Sequence, residues 1–114
     1  MKILKWNEIP QERLNPLLER QAIHSERITV ARLSLKKGAV VPHHSHENEQ
    51  LTMLERGCLK FIFDDREVIV HAHQVLQIAS HEEHAVEALE DSLAIDLFAP
   101  VREDWRTGDD AYLR

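Results

Sequence analysis

Apolar and polar residues alternate over short stretches along most of the chain, and turn-forming residues interrupt them at similar intervals. Alternation with a period of two places successive side chains on opposite faces of an extended strand. LLERQAI and RITVARLSL flank the polar pair Ser25-Glu26 and predict a hairpin, which Lys36, Lys37 and Gly38 then close. Gly38 suits that place because it adopts a turn conformation that other residues resist. QLTMLE, CLKFIF, EVIV, QVLQIA, AVEAL and LAIDLFA follow as further strands. Between them lie Arg56-Gly57, Asp64-Asp65, His71-Ala72-His73, the SHEEH segment and Glu90-Asp91-Ser92. Leu59, Phe61 and Phe63 share one face of their strand, with Lys60 and Ile62 on the other. AVEALEDSLAI competes as a helix, but its Glu90-Asp91-Ser92 centre reads as a turn. Short strands with turns every ~8 to 12 residues predict an all-β sandwich or barrel. The proline-bearing IPQERLNPL predicts a short irregular N-terminal arm, so the core is expected to run from about residue 17 to 100. REDWRTGDDAYLR is too polar for a strand and predicts a C-terminal tail packed on the outside. Arm or tail could cover an open sheet edge, including that of a second subunit.

Composition narrows the class. The 114 residues suit one domain, 1–114, and show no repeat or linker. With 43% apolar and 30% charged residues the chain is globular rather than disordered. No apolar run approaches the roughly 20 residues that cross a bilayer, and MKILKWNEIPQERL turns polar too early for a signal peptide. The single cysteine, Cys58, excludes an internal disulfide framework and reads as core, so a cytoplasmic location is expected. Twenty acidic residues against fourteen basic ones, a formal charge of -6, argue against nucleic acid as a partner. A small anionic ligand stays open, because a local metal ion and one arginine outweigh a global charge.

Histidine changes the picture more than charge does. Seven of the eight histidines fall between His43 and His84. His44 and His46 are two apart, so on an extended strand their imidazoles project from one face. Gln50 keeps that parity if the strand continues, and His84 arrives from a distant segment. Three imidazoles and an amide oxygen would hold a six-coordinate ion and leave positions open; the alternative is an exposed histidine-rich loop without a ligand. His43 points to the opposite face, His71 and His73 fall in a turn, His81 could line a pocket mouth, and His24 has no assigned role.

The spacing carries a family resemblance. Gly38, five residues, His44-Ser45-His46, three residues, Gln50, six residues and Gly57 resemble the first cupin motif, with Gln50 where the motif has glutamate. Aligned on His84, the glycine, proline, second glycine and asparagine of the second motif become His73, Ala79, His81 and Ala88. The resemblance spans about Ile28 to Arg102. It implies a single jelly-roll-like cupin barrel, one divalent metal ion on His44, His46, Gln50 and His84, and a homodimer. Nickel, zinc, manganese, iron or cobalt would all accept such donors. An amide in place of a carboxylate cancels none of the metal's charge, which suits Lewis-acid polarisation better than dioxygen chemistry.

Near the end of the chain, Asp96 interrupts an apolar strand, where an isolated carboxylate is costly and needs a partner or a task. Asp96 and Phe98 share a face, and Arg102, after Pro100, can swing back toward it with a fork for a carboxylate. Equally, acid and arginine could simply pin the tail. HxH, glutamine, a later histidine and a terminal D-x-F-x-P-x-R-E-D together resemble the KdgF-type uronate-ketonising cupins. That resemblance implies conversion of 4,5-unsaturated monouronates, from pectin or alginate breakdown, to linear keto sugars, with Asp96, Phe98 and Arg102 completing the active site. A cupin isomerase or dioxygenase on another small acid, and a sugar-binding module without turnover, are the alternatives.

Overall fold

The computed structural model describes residues 1–114. After a 3-10 turn at Trp6–Glu8, ten strands follow: β1 (Glu12–Asn15), β2 (Leu18–His24), β3 (Thr29–Leu35), β4 (Val40–His44), β5 (Glu49–Arg56), β6 (Cys58–Ile62), β7 (Glu67–His71), β8 (Val75–Ile78), β9 (His84–Ala88) and β10 (Ser92–Ala99). One sheet has the order β1-β2-β3-β10-β5-β8, the other β4-β9-β6-β7. Every pairing is antiparallel. From β3 onward the chain passes repeatedly between the sheets, which closes them into a jelly-roll barrel.

Strand alternation decides what fills the barrel. Leu59, Phe61 and Phe63 point inward from β6 and its end, joined by Leu54, Ile78, Val86 and Phe98. Fully burying such a side chain is worth about 1.5–3 kcal/mol. The same inward positions of β5, β9 and β10 also carry polar groups: Gln50, Thr52, His84 and Asp96 are all buried. Polar side chains at interior positions are where a barrel departs from pure packing, and they mark the site.

Both ends of the chain differ from the expectation. The arm is irregular up to Gln11, but β1 lies inside the segment read as irregular. Pro10 and Pro16 bracket that strand rather than interrupt it, and Leu14 is buried under it. The tail does not pack on the outside. It forms a helical turn, α1 (Glu103–Arg106), and a 3-10 turn at Ala111–Leu113, and it sends Trp105 and Leu113 into the core. The Trp105 ring lies between two guanidinium groups, Arg20 at 4.4 Å and Arg102 at 4.3 Å. Asp110, 1% exposed, accepts from Arg20 at 2.8 Å. No helix is long and apolar enough to cross a membrane.

Candidate metal centre

His44 closes β4, His84 opens β9, and the two are register partners across that pair. Their ring centroids are 4.3 Å apart. His46 lies beyond the end of β4, and the chain then bends at Glu47 and Asn48. The extended strand expected to carry His44, His46 and Gln50 on one face is therefore broken. Gln50 reaches the same place from β5, in the opposite sheet. The donor nitrogens of His44, His46 and His84 all lie within 4.8 Å of one another, a group that could hold a metal ion.

Three backbone carbonyls set the chemistry of these rings. Nδ1 of His44 bonds to Pro42 O at 2.8 Å, Nδ1 of His46 to Asn48 O at 3.0 Å, and Nδ1 of His84 to Glu82 O at 2.8 Å. A carbonyl only accepts, so each Nδ1 carries the proton and each Nε2 keeps its lone pair. Burial, the main cause, lowers the pKa of His44 and His46 to about 4 and lowers that of His84 as well. All three imidazoles are neutral at physiological pH, the state that ligates metal.

Gln50 supplies the test of fit. Its Nε2 donates to Thr52 Oγ1 at 2.9 Å, which turns Oε1 toward His46 Nε2 at 3.1 Å. Two lone pairs then oppose each other in a buried place. A cation between them is the group this donor set fits, and the Nδ1 carbonyls are the outer partners that metal-bound imidazoles use.

His44, Gln50 and His84 line a cavity together with Thr52, Asp96, Phe98, Arg102 and Tyr112. His46 does not line that cavity but a polar groove, with Ser45, Glu47, Asn48, Glu103 and Asp104. Asp96 is raised to about 6, chiefly by burial, against the pull of the Thr52 hydroxyl and Arg102. Its Oδ1 has no hydrogen-bond partner. Phe98 meets His46 edge-on at 5.6 Å. Arg102 is 1% exposed and already engaged: Nε and Nη2 bond to Asp104 at 2.9 and 2.7 Å, and Nη2 also to the Tyr112 hydroxyl at 2.6 Å. Only Nη1 makes no protein hydrogen bond. The fork thus holds Asp104 and Tyr112 of the tail rather than Asp96, the acid expected to pair with it, while still lining the cavity.

Several contributors were not singled out from sequence. Asn48 receives His46 Nδ1 on its carbonyl and donates its side-chain amide to Pro100 O, joining the site to the tail. Tyr112 stacks on His44 at 4.8 Å. Thr52 orients Gln50. The remaining histidines stay apart from the cavity: His43 is exposed on the outer face near Asp64 and Glu83, and His71 is exposed with Nδ1 3.9 Å from Cys58. His73 and His81, the two second-motif glycine positions, keep a glycine-like backbone with φ of 74° and 64°. Both positions thus hold, without glycine, a backbone conformation that glycine favours.

The sequence matches the cupin domain family over residues 31–98. The chain is a cupin. No curated protein matches it. Among solved structures, KdgF from Halomonas sp. is 26% identical, with a TM-score of 0.79 over 87% of this chain and 94% of that one. A RmlC-like cupin from Shewanella frigidimarina is 21% identical, with a TM-score of 0.84 over 92% and 96%. A predicted oxalate decarboxylase from Thermotoga maritima is 20% identical, with a TM-score of 0.76 over 87% and 99%. The latter two support the fold alone.

Proposed function

We propose that this cupin is a metal-dependent tautomerase that opens 4,5-unsaturated monouronates to linear keto sugars. The observation that carries the proposal is Asp96: a buried carboxyl with an unpartnered oxygen, in the same cavity as the metal-ligand candidates. The likeness to KdgF from Halomonas sp. over most of both chains supports the same reading.

His44, His46, Gln50 and His84 would hold a divalent transition metal. When bound, that ion supplies Lewis-acid stabilisation of negative charge developing on sugar oxygen. Asp96 takes the proton from the anomeric hydroxyl as the C1–ring oxygen bond breaks. It returns that proton to C4 as the resulting enolate becomes a ketone at C5, so no atom is gained or lost. A pKa of about 6 suits both halves of the transfer near neutral pH. Arg102 Nη1 is the nitrogen left to meet the C6 carboxylate, and Phe98 packs against the ring.

The test is loss of the ultraviolet absorbance of the conjugated double bond when metal-loaded protein meets fresh unsaturated monouronate, with spontaneous opening subtracted. Acceleration is expected, and His46→Ala should abolish it. Asp96→Asn should lower the rate by about 100-fold or more while the metal stays bound. Full turnover by Asp96→Asn would remove the assigned proton carrier.

A further inference from the structure

A buried glutamine is an ambiguous ligand. One way round it presents an oxygen that binds a cation, and the other way an NH2 group that repels one. In this cupin a single neighbour decides between them. Gln50 Nε2 donates to Thr52 Oγ1, and Oε1 is thereby left toward His46 Nε2. Thr52 is 1% exposed, so bulk water offers the amide no substitute acceptor.

The direction of that bond needs its own explanation, because a hydroxyl can also donate. If the Thr52 proton went to Gln50, the amide would turn and face its NH2 to the histidines. Thr52 sits on β5 directly opposite Asp96 on β10. The two strands bring hydroxyl and carboxyl to facing positions in the barrel interior. A carboxylate facing the hydroxyl from the opposite strand accepts and never donates, so it favours a Thr52 oxygen free to accept from Gln50.

We propose that Thr52 is the positioning residue of the metal site, fixing the Gln50 amide oxygen toward the cation. The proposal rests on Gln50 serving as a ligand, the reading given above. It assigns work to a cavity residue that the proposed reaction does not itself use. Outer partners of this kind typically govern metal affinity by 10–100-fold.

Zn²⁺ affinity, read by competition with a chromophoric chelator at neutral pH, tests this without any assay of turnover. Thr52→Val keeps the shape and removes the acceptor, so affinity should fall by ~10-fold or more. Thr52→Ser should restore it. In a Gln50→Ala background, Thr52→Val should bring no further loss, because the ligand it orients is already gone. If Thr52→Val does not fold, Thr52→Cys, with a weakly accepting sulfur, replaces it and should lower affinity in the same direction. Wild-type affinity in Thr52→Val, with a loss in Gln50→Ala, would overturn the role of Thr52 and leave the ligand set standing. Unchanged affinity in Gln50→Ala would overturn the ligand set itself.

Discussion

Asp96 is the residue whose physics reaches furthest. Its folded pKa is raised from 3.8 to about 6, mainly because burial disfavours the charged form. For an acid shifted upward, the unfolded state releases its proton first. The favourable contribution is complete below the unfolded pKa and is lost as pH rises through the folded one. At neutral pH the metal-free protein therefore carries a penalty on the order of 3 kcal/mol that an amide would not have. Asp96→Asn should gain stability over the wild type by roughly 2–3 kcal/mol between pH 4 and pH 7 in urea titrations of metal-free protein. The histidines titrate alike in both proteins and drop out of the difference. A difference that stays flat with pH would show that the carboxyl is not desolvated. A group held at a cost to folding, yet placed in the cavity that His44 and His84 also line, is better explained by chemistry than by stability.

At the scale of elements, turn geometry and strand pairing share the control. Gly57 joins β5 to β6 with φ of +96°, and an added Cβ would fall 2.5 Å from Asp91 O and 2.7 Å from Ser92 Cα. Backbone atoms cannot yield as a flexible side chain can. Gly57→Ala should cost about 3 kcal/mol or more, combining left-handed strain with overpacking. Gly38→Ala, with nothing within 4 Å, meets only the backbone term and should cost about 1 kcal/mol. Thermal melts of the two variants give the comparison, with equal losses contradicting the crowding at Gly57. These strands were legible because each alternates and ends at a turn residue. β1 was not, since two prolines in nine residues read as a break when they in fact frame a strand. The convergence of His44, His46, His84 and Gln50 was legible from motif spacing, although the single strand imagined for the first motif is a strand, a bend and a strand of the other sheet. Thr52, two residues from Gln50 on one face of β5, was open to the same parity argument, while Asn48 and Tyr112 were hidden for one reason. Their roles depend on which strand lies opposite or which segment folds back, and one sequence does not record register.

Across the whole molecule, the C-terminal tail ties the two sheets and the site together. Its apolar residues, Trp105, Tyr112 and Leu113, follow no strand or helix period, which is why the segment read as an external tail. They are buried by charge as much as by packing: Arg20, Trp105, Arg102 and Phe98 form a ladder of guanidinium and aromatic groups. Arg20, 2% exposed, depends on Asp110 at 2.8 Å and on the half-exposed Glu12 at 3.0 Å, and its Nη1 has no partner. A buried guanidinium stripped of its buried carboxylate is an uncompensated charge, which typically costs 3–5 kcal/mol. Asp110→Asn should therefore destabilise the protein by about 3 kcal/mol, the low end because Glu12 remains. Glu103→Gln, which breaks the exposed pair with Arg106, should change stability by less than about 1 kcal/mol. Asp110 itself is held below the usual carboxylate range; burial alone would raise it, but the Arg20 and Arg114 guanidinium groups outweigh that. Its contribution is then present above the unfolded carboxyl pKa and lost as pH falls through the folded one, so the gap between wild type and Asp110→Asn should close in acid. Urea titrations at neutral and acidic pH measure that gap, and a gap independent of pH would contradict the pairing. Because the same segment presses Tyr112 onto His44, Asp110→Asn should also weaken Zn²⁺ binding, which makes the tail part of the metal site's frame.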